Sequence, residues 1–227
     1  MHLVIISCTP RVIKNSNTAK IIDKFKEGFE KDGNTTETYY LSQRNRWNEI
    51  KNAFYKNDNI LFAIPLFVES LPGIMLEFLE TIEPKQYSEG IAKTKIGFIL
   101  QGGFAEASQL RCGEKYLEKL PNFLNCECTG VLIKGNMFVV SIFEGKTREN
   151  LIKPFINMGE YYAKHVAFPN EVASEFTKPE YYSKRFILLY SLFSPIQKVL
   201  ISLIAKIFGC KGSLKAKPYK KYIEEYS

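Results

Sequence analysis

Four nearly unbroken apolar runs punctuate the chain, at residues 3–6, 60–64, 96–100 and 131–133. Between them, apolar residues return every three or four positions. Unbroken apolar runs belong to strands covered on both faces, and the longer period belongs to helices with one buried side. The spacing predicts helices over 18–31, 46–56, 72–82, 107–120 and 147–166. Residues 35–41 read as a further strand, more polar than the others and therefore at a sheet edge. Strand and helix alternate five times, which predicts an α/β fold: an open, doubly wound, five-stranded parallel sheet with right-handed crossovers and strand order 2-1-3-4-5.

In such a sheet ligands gather beyond the carboxyl ends of the strands, near the switch point between the first and third strands. Three loops meet that description. The first, residues 7–18, reads Ser-Cys-Thr-Pro-Arg-Val-Ile-Lys-Asn-Ser-Asn-Thr and leads from the first strand into the helix carrying Ile22, Phe25 and Phe29 on one face. Free amides and the positive end of the helix dipole converge at such a junction and attract anions, phosphate above all, although Ser16 or Asn17 could equally serve as a helix cap. The second, residues 65–73, is apolar and aromatic in its first half, Pro65-Leu66-Phe67-Val68, where a structural loop would be polar; Pro72 suits the first position of the next helix. The third is Gln101-Gly102-Gly103-Phe104-Ala105-Glu106, whose glycines allow close approach of backbone to a ligand. Together they point to a flat aromatic ligand bearing a phosphate.

Length and charge narrow the picture. The 227 residues suffice for one compact domain plus an appendage without disulfide or metal staples. The net charge is +7, but Lys211, Lys215, Lys217, Lys220 and Lys221 crowd near the end, so the excess is a property of the tail and not a nucleic-acid footprint. Five cysteines without a paired framework, and a start Met1-His2-Leu3 without a charged and apolar leader, predict a reducing, cytoplasmic setting. Cys126 and Cys128 read as core thiols because no second pair or histidine cluster completes a metal site. His2 and His165 are the only histidines, and His165 reads as a terminal helix residue, which disfavours a hydrolase built on an imidazole base.

These residues resemble the flavodoxin-like, NAD(P)H-dependent FMN reductase family. Thr9-Pro10-Arg11 and Ser16-Asn17-Thr18 match that family's phosphate loop, the Pro65-Leu66-Phe67 and Ser70-Leu71-Pro72-Gly73 segments are similar to its second flavin loop, and Gln101-Gly102-Gly103-Phe104 resembles its third. The likeness covers residues 1–166, the expected flavin domain. By resemblance, Thr9, Arg11, Ser16, Asn17 and Thr18 hold the FMN phosphate. Pro65, Leu66, Phe67 and Val68 lie against the isoalloxazine and ribityl chain. Amides of that loop and of Gly102 and Gly103, with Gln101 and Phe104 beside them, face the ring's polar edge. The resemblance further implies NADH or NADPH as hydride donor, a small-molecule or flavin acceptor, a dimer or tetramer, and no catalytic triad, because the cofactor carries the chemistry. Two departures stand out: Cys8 replaces the family's glycine, and Val12-Ile13 lengthen the span before Ser16. The clustered cysteines of the related iron–sulfur flavoproteins are missing, so no such cluster is expected. A flavodoxin-like electron carrier is the alternative, disfavoured by the basic charge, and a non-enzymatic α/β binding module docked through its C-terminal helices is another.

Residues 167–227 form the expected C-terminal extension. An apolar segment over 186–193 is broken at Ser194-Pro195 and resumes as a stripe of Ile196, Val199, Leu200, Leu203, Ile204, Ile207 and Phe208. This predicts two helices joined at Pro195. Pro195, Gln197, Lys198 and Lys206 interrupt the segment and disfavour a transmembrane span. Packing on the chain's own domain or a dimer mate is the first reading; a wall over the flavin, and weak contact with a membrane surface aided by the lysine tail, are the others.

Overall fold

The computed structural model describes residues 1–67, 69–207, 209 and 217. Five strands, β1 (His2–Ser7), β2 (Thr35–Tyr40), β3 (Asn59–Pro65), β4 (Lys95–Gln101) and β5 (Glu127–Lys134), form one sheet in the order β2-β1-β3-β4-β5. Every neighbouring pair is parallel. This is the expected 2-1-3-4-5 arrangement of a flavodoxin-like α/β fold. The three inner strands are buried almost throughout, while β2 alternates exposed and half-buried positions, as its polar composition at an edge requires.

Because side chains alternate across a strand, each inner strand feeds two cores. Val4, Ile6, Phe62, Ile64, Phe98 and Leu100 face one side of the sheet, covered by helices α2 (Trp47–Lys56), α3 (Gly73–Leu79) and α4 (Arg111–Phe123). Leu3, Ile5, Leu61, Ala63 and Ile99 face the other, beneath α1 (Asn17–Phe29) and a second helix of the last crossover. That crossover is not the single helix expected over 147–166. It divides into α5 (Gly145–Ile152) and α6 (Pro154–His165), because Pro154 has no amide to continue the ladder and opens a new helix at its first position. His165 ends α6.

Three other boundaries differ from expectation for local reasons. Pro72 caps α3 from outside: its carbonyl accepts from the Met75 amide at 2.8 Å. The stretch 107–110 winds as a tight 3-10 turn before α4, and α4 continues through Pro121 to Phe123. After α6, α7 (Asn170–Thr177) packs against β5, tied by Phe168 N–H to the Thr129 carbonyl at 2.7 Å and the Thr177 hydroxyl to the Ile133 carbonyl at 3.1 Å. The compact unit accordingly runs Met1–Tyr181, and the boundary expected at 166 falls inside it.

The second unit starts at Tyr182 and contains α8 (Lys184–Leu192) and α9 (Ser194–Ile207). Ser183 caps α8 through its hydroxyl, which accepts from Phe186 N–H at 3.2 Å. The two helices bend by 60°. The break falls at Phe193, and Pro195 occupies the first turn of α9, where its missing amide does no harm. Phe208 and the tail lysines 211, 215, 220 and 221 lie outside the described residues.

Candidate cofactor site

At the carboxyl edge of the sheet, over β1, β3 and β4, the chain encloses a cleft of about 410 Å³, within the size range of small-ligand and cofactor sites. Its floor and phosphate-like end come from Thr9, Asn17 and Thr18, and Arg11 stands at its rim. Ser16 does not line it. This serine caps α1 instead, its Oγ accepting from the Ala19 amide at 3.2 Å. The capping leaves the Asn17 and Thr18 amides, in the first turn, without a partner among the described residues, as helix geometry demands unless something external supplies an acceptor.

Hydrogen bonding inside the protein orients the hydroxyls. Thr9 Oγ1 accepts from Arg11 N–H at 3.2 Å, and Thr18 Oγ1 accepts from Gln101 Nε2 at 3.3 Å. Each threonine thus serves as acceptor within the protein and keeps its own proton to donate elsewhere. Asn17 Nδ2 donates to the Met137 carbonyl at 2.9 Å and to Ser141 Oγ at 3.3 Å, while its buried Oδ1 has no partner among the described residues. Backbone amides, two free hydroxyl protons and an arginine outside any ion pair among the described residues make one end of the cleft a donor set for an anion.

The other end is flat and apolar. Pro65, Leu66 and Phe67 form one side, and Gly102, Gly103 and Phe104 the other. Phe67 and Ser70 exchange backbone hydrogen bonds at 3.0 Å, closing a tight turn that holds Glu69 at φ 63°. A non-glycine residue in this left-handed region costs energy and tends to persist where the surroundings dictate the shape of a site. Val68 lies outside the described residues. Not all amides of these loops are available: Leu66 N–H is bonded to the Gln101 carbonyl at 2.7 Å, Phe67 N–H to Ser70, and Gly102 N–H to the Lys134 carbonyl at 3.0 Å. The Glu69, Gly103 and Phe104 amides have no partner among the described residues and are left as donors to a ligand.

Glu69, Gln109, Leu110 and Phe138 also line the cleft, none of them among the residues the sequence put forward. Glu69 lay within the second loop. Gln109 and Leu110 were hidden in a predicted helix and emerge in the 3-10 turn. Phe138, 58% exposed, follows β5 and could have been found by extending the strand-end rule to the last strand.

Neither departure in the first loop intrudes on the cleft. Cys8 is fully buried in the core beneath it, its amide continuing β1 toward β3 by a bond to the Ala63 carbonyl at 2.8 Å. Burial pushes its thiol pKa far up, so it is an inert packing group. Val12 and Ile13 are exposed, and the extra length is taken up by an outward 3-10 turn over Ile13–Asn15. Cys126 is buried and Cys128 half-buried, with both thiols raised by burial; no group of three or more His, Cys, Asp or Glu gathers among the described residues.

The stretch 178–180 braces the turn before α4. Ala107 N–H donates to the Pro179 carbonyl at 3.1 Å and Ser108 N–H to the Glu180 carbonyl at 3.3 Å, so the turn carrying Gln109 and Leu110 is held from behind. Arg111 grips Glu180 through Nε at 3.0 Å and Glu114 through Nη1 at 2.8 Å. Its guanidinium holds the Glu180 carboxyl below the usual carboxylate range.

Sheet order and cleft define a flavodoxin-like fold whose open edge brings the N-terminal end of α1 beside a largely apolar slot. No protein-family profile and no curated protein matches the chain. Among solved structures it is similar to an FMN-dependent NADH-azoreductase from Bacillus anthracis in complex with FMN, with a TM-score of 0.52 at 16% identity over 74% of this chain and 99% of that one. It is also similar to an NAD(P)H:quinone oxidoreductase from Methanothermobacter marburgensis, with a TM-score of 0.54 at 14% identity over 73% and 98%. At such identities the likeness establishes the fold.

Proposed function

We propose that this chain is an FMN-dependent oxidoreductase that takes hydride from NADH or NADPH and reduces a small-molecule acceptor. The observation that carries the reading is the pairing, in one cleft, of a helix-end donor set with a largely apolar slot at the strand-order switch point. The azoreductase and quinone oxidoreductase that share the fold are an FMN complex and an NAD(P)H enzyme, which supports the same assignment.

The residues present fit FMN. The Asn17 and Thr18 amides with the hydroxyl protons of Thr9 and Thr18 would hold its phosphate, Arg11 adding charge from the rim. The orphaned Asn17 Oδ1 is an acceptor that a ligand hydroxyl can satisfy. Leu66, Phe67, Gly103 and Phe104 would enclose the ring system, with the Glu69 and Gly103 amides as donors to its polar edge. When bound, FMN supplies the two-electron chemistry of hydride acceptance and donation. The protein's share is to orient and to exclude water: Leu66 is fixed by its bond to Gln101, and Gln101 by its bond to Thr18, so the slot and the anion end are set relative to each other before a ligand arrives.

Titration of FMN with the purified protein tests the reading. Quenched flavin fluorescence and shifted visible bands are expected, followed by anaerobic bleaching on addition of NADH or NADPH. An unperturbed flavin spectrum at micromolar protein would refute it, whereas perturbation without bleaching would make the protein an electron carrier.

A further inference from the structure

The apolar surface of the second unit is out of keeping with a soluble appendage. No side chain of α8 or α9 is buried. Ile207 is 81% exposed, and the least exposed of the large apolar side chains between 186 and 207, Ile204, is still 44% exposed. A continuous patch of this kind marks an interaction surface.

The polar residues say what covers it. At 100° per residue, Ile196, Val199, Leu200, Leu203, Ile204 and Ile207 of α9 share one face; Lys198 lies opposite it, and Lys206 lies at its border beside Val199. In α8, Lys184 and Arg185 precede the apolar residues, and Tyr182, Phe186 and Tyr190 stack in a column with ring centroids 4.3 and 6.3 Å apart. Tyrosines and lysines framing an apolar face are the chemistry of the boundary between headgroups and acyl chains. Between residues 181 and 223 every charged side chain is a lysine or arginine, nine in all, so the whole-chain excess of +7 is owed entirely to this stretch. A second copy would bring nine further positive charges to the same stretch with no acidic residue to answer them, whereas an anionic lipid surface complements them.

Neither described helix alone is long enough for a simple span: nine residues of α8 and fourteen of α9 measure roughly 14 and 21 Å at the helical rise, short of the ~30 Å hydrocarbon core, and the bend of 60° keeps the pair from forming one straight helix. We infer that α8 and α9 form a monotopic anchor that lies in the surface of a bilayer rich in anionic lipid, with the apolar face of α9 down and Lys206 at its border. The inference is independent of the flavin reading.

Flotation of the full chain with vesicles tests it, comparing phosphatidylcholine alone with vesicles in which part of it is replaced by phosphatidylglycerol. The protein should float with the anionic vesicles and largely stay behind with the neutral ones, and high salt should release much of it. Leu200→Glu/Leu203→Glu should abolish flotation. Lys198→Gln/Lys206→Gln should weaken it by roughly fivefold per lysine. Circular dichroism and FMN titration of each variant, expected to match the parent, separate loss of anchoring from loss of the fold. Flotation indifferent to lipid charge, no flotation at all, resistance to alkaline extraction as for a spanning helix, or a dimer in light scattering that Leu200→Glu/Leu203→Glu dissociates would each overturn the inference.

Discussion

Replacing Gly28 with alanine isolates the contact that sets α1 over the sheet. In an open helix interior this change stabilises by up to about 1 kcal/mol, since glycine is the poorer helix former. Here a Cβ at position 28 would stand 1.9 Å from the Ile156 carbonyl oxygen and 2.8 Å from its carbon, with the Glu160 amide at 3.0 Å. Relief to an ordinary separation of about 3.3 Å requires α1 and α6 to part by roughly 1.4 Å. The obstacle is helix backbone, so no rotamer change gives way, and a Cβ at Gly159 would stand 2.0 Å from the Phe25 carbonyl oxygen in the same crossing. Parting the helices loosens Phe25, Phe29, Phe155 and Tyr162, all fully buried. Overpacking of this kind costs about 3 kcal/mol, which against the propensity gain leaves a net loss of about 2 kcal/mol. For a unit of this length that corresponds to a melting temperature lower by roughly 4–8 °C. Urea and thermal unfolding monitored by circular dichroism measure it. Gly73→Ala, whose added Cβ meets nothing within 4 Å, is the control and should be neutral or slightly stabilising. A Gly28→Ala protein as stable as the parent would refute the account of the crossing.

Ser16→Ala removes the cap of α1 and should cost about 1 kcal/mol, read as a lower urea midpoint, with weaker flavin retention because the first-turn amides lose their frame. Gly135→Ala puts a Cβ 2.6 Å from the Phe104 carbonyl oxygen and 2.8 Å from that of Ala105, so the loop over 102–106 must shift; FMN affinity should fall about tenfold or more while the fold, followed by far-ultraviolet circular dichroism, persists. Glu180 has a folded pKa below its ordinary 4.5, so its ion pair contributes at neutral pH and is lost as pH falls through the folded value. With its side chain 39% exposed the contribution is modest, about 0.5 kcal/mol. Urea titrations at descending pH should show Glu180→Gln less stable than the parent at pH 7 and equal to it in strong acid, where a constant difference would count against the pair.

The strand order was legible because β1, β3 and β4 are buried on both faces and so carry almost no polar residue, while β2 alternates at an edge. The gathering of Thr9, Asn17 and Thr18 at the sheet edge was legible from their place between a buried strand and a helix. What the sequence hid depended on pairing at a distance. For Ser16 the sequence left a ligand role and a cap role open, and the bond from the Ala19 amide decides for the cap. The Leu66, Phe67 and Gly102 amides looked available until their carbonyl partners were known. Gln109 and Leu110 sat inside a helical period that gives way to a 3-10 turn when Ala107 and Ser108 pair with Pro179 and Glu180. Glu69 gives no local sign of its positive φ, which the turn closed by Phe67 and Ser70 imposes.

The bonds of Asn17 to Met137 and Ser141 join residues more than a hundred positions apart in the chain. During synthesis the helix end emerges early, but the carbonyl and hydroxyl that fix Asn17 arrive only after β5, and domains complete their packing as units. The cradle for an anion is therefore among the last parts of the Met1–Tyr181 unit to be finished. A truncation before Met137 would yield a polypeptide with the loop sequence intact and neither of the two partners that fix the Asn17 side chain.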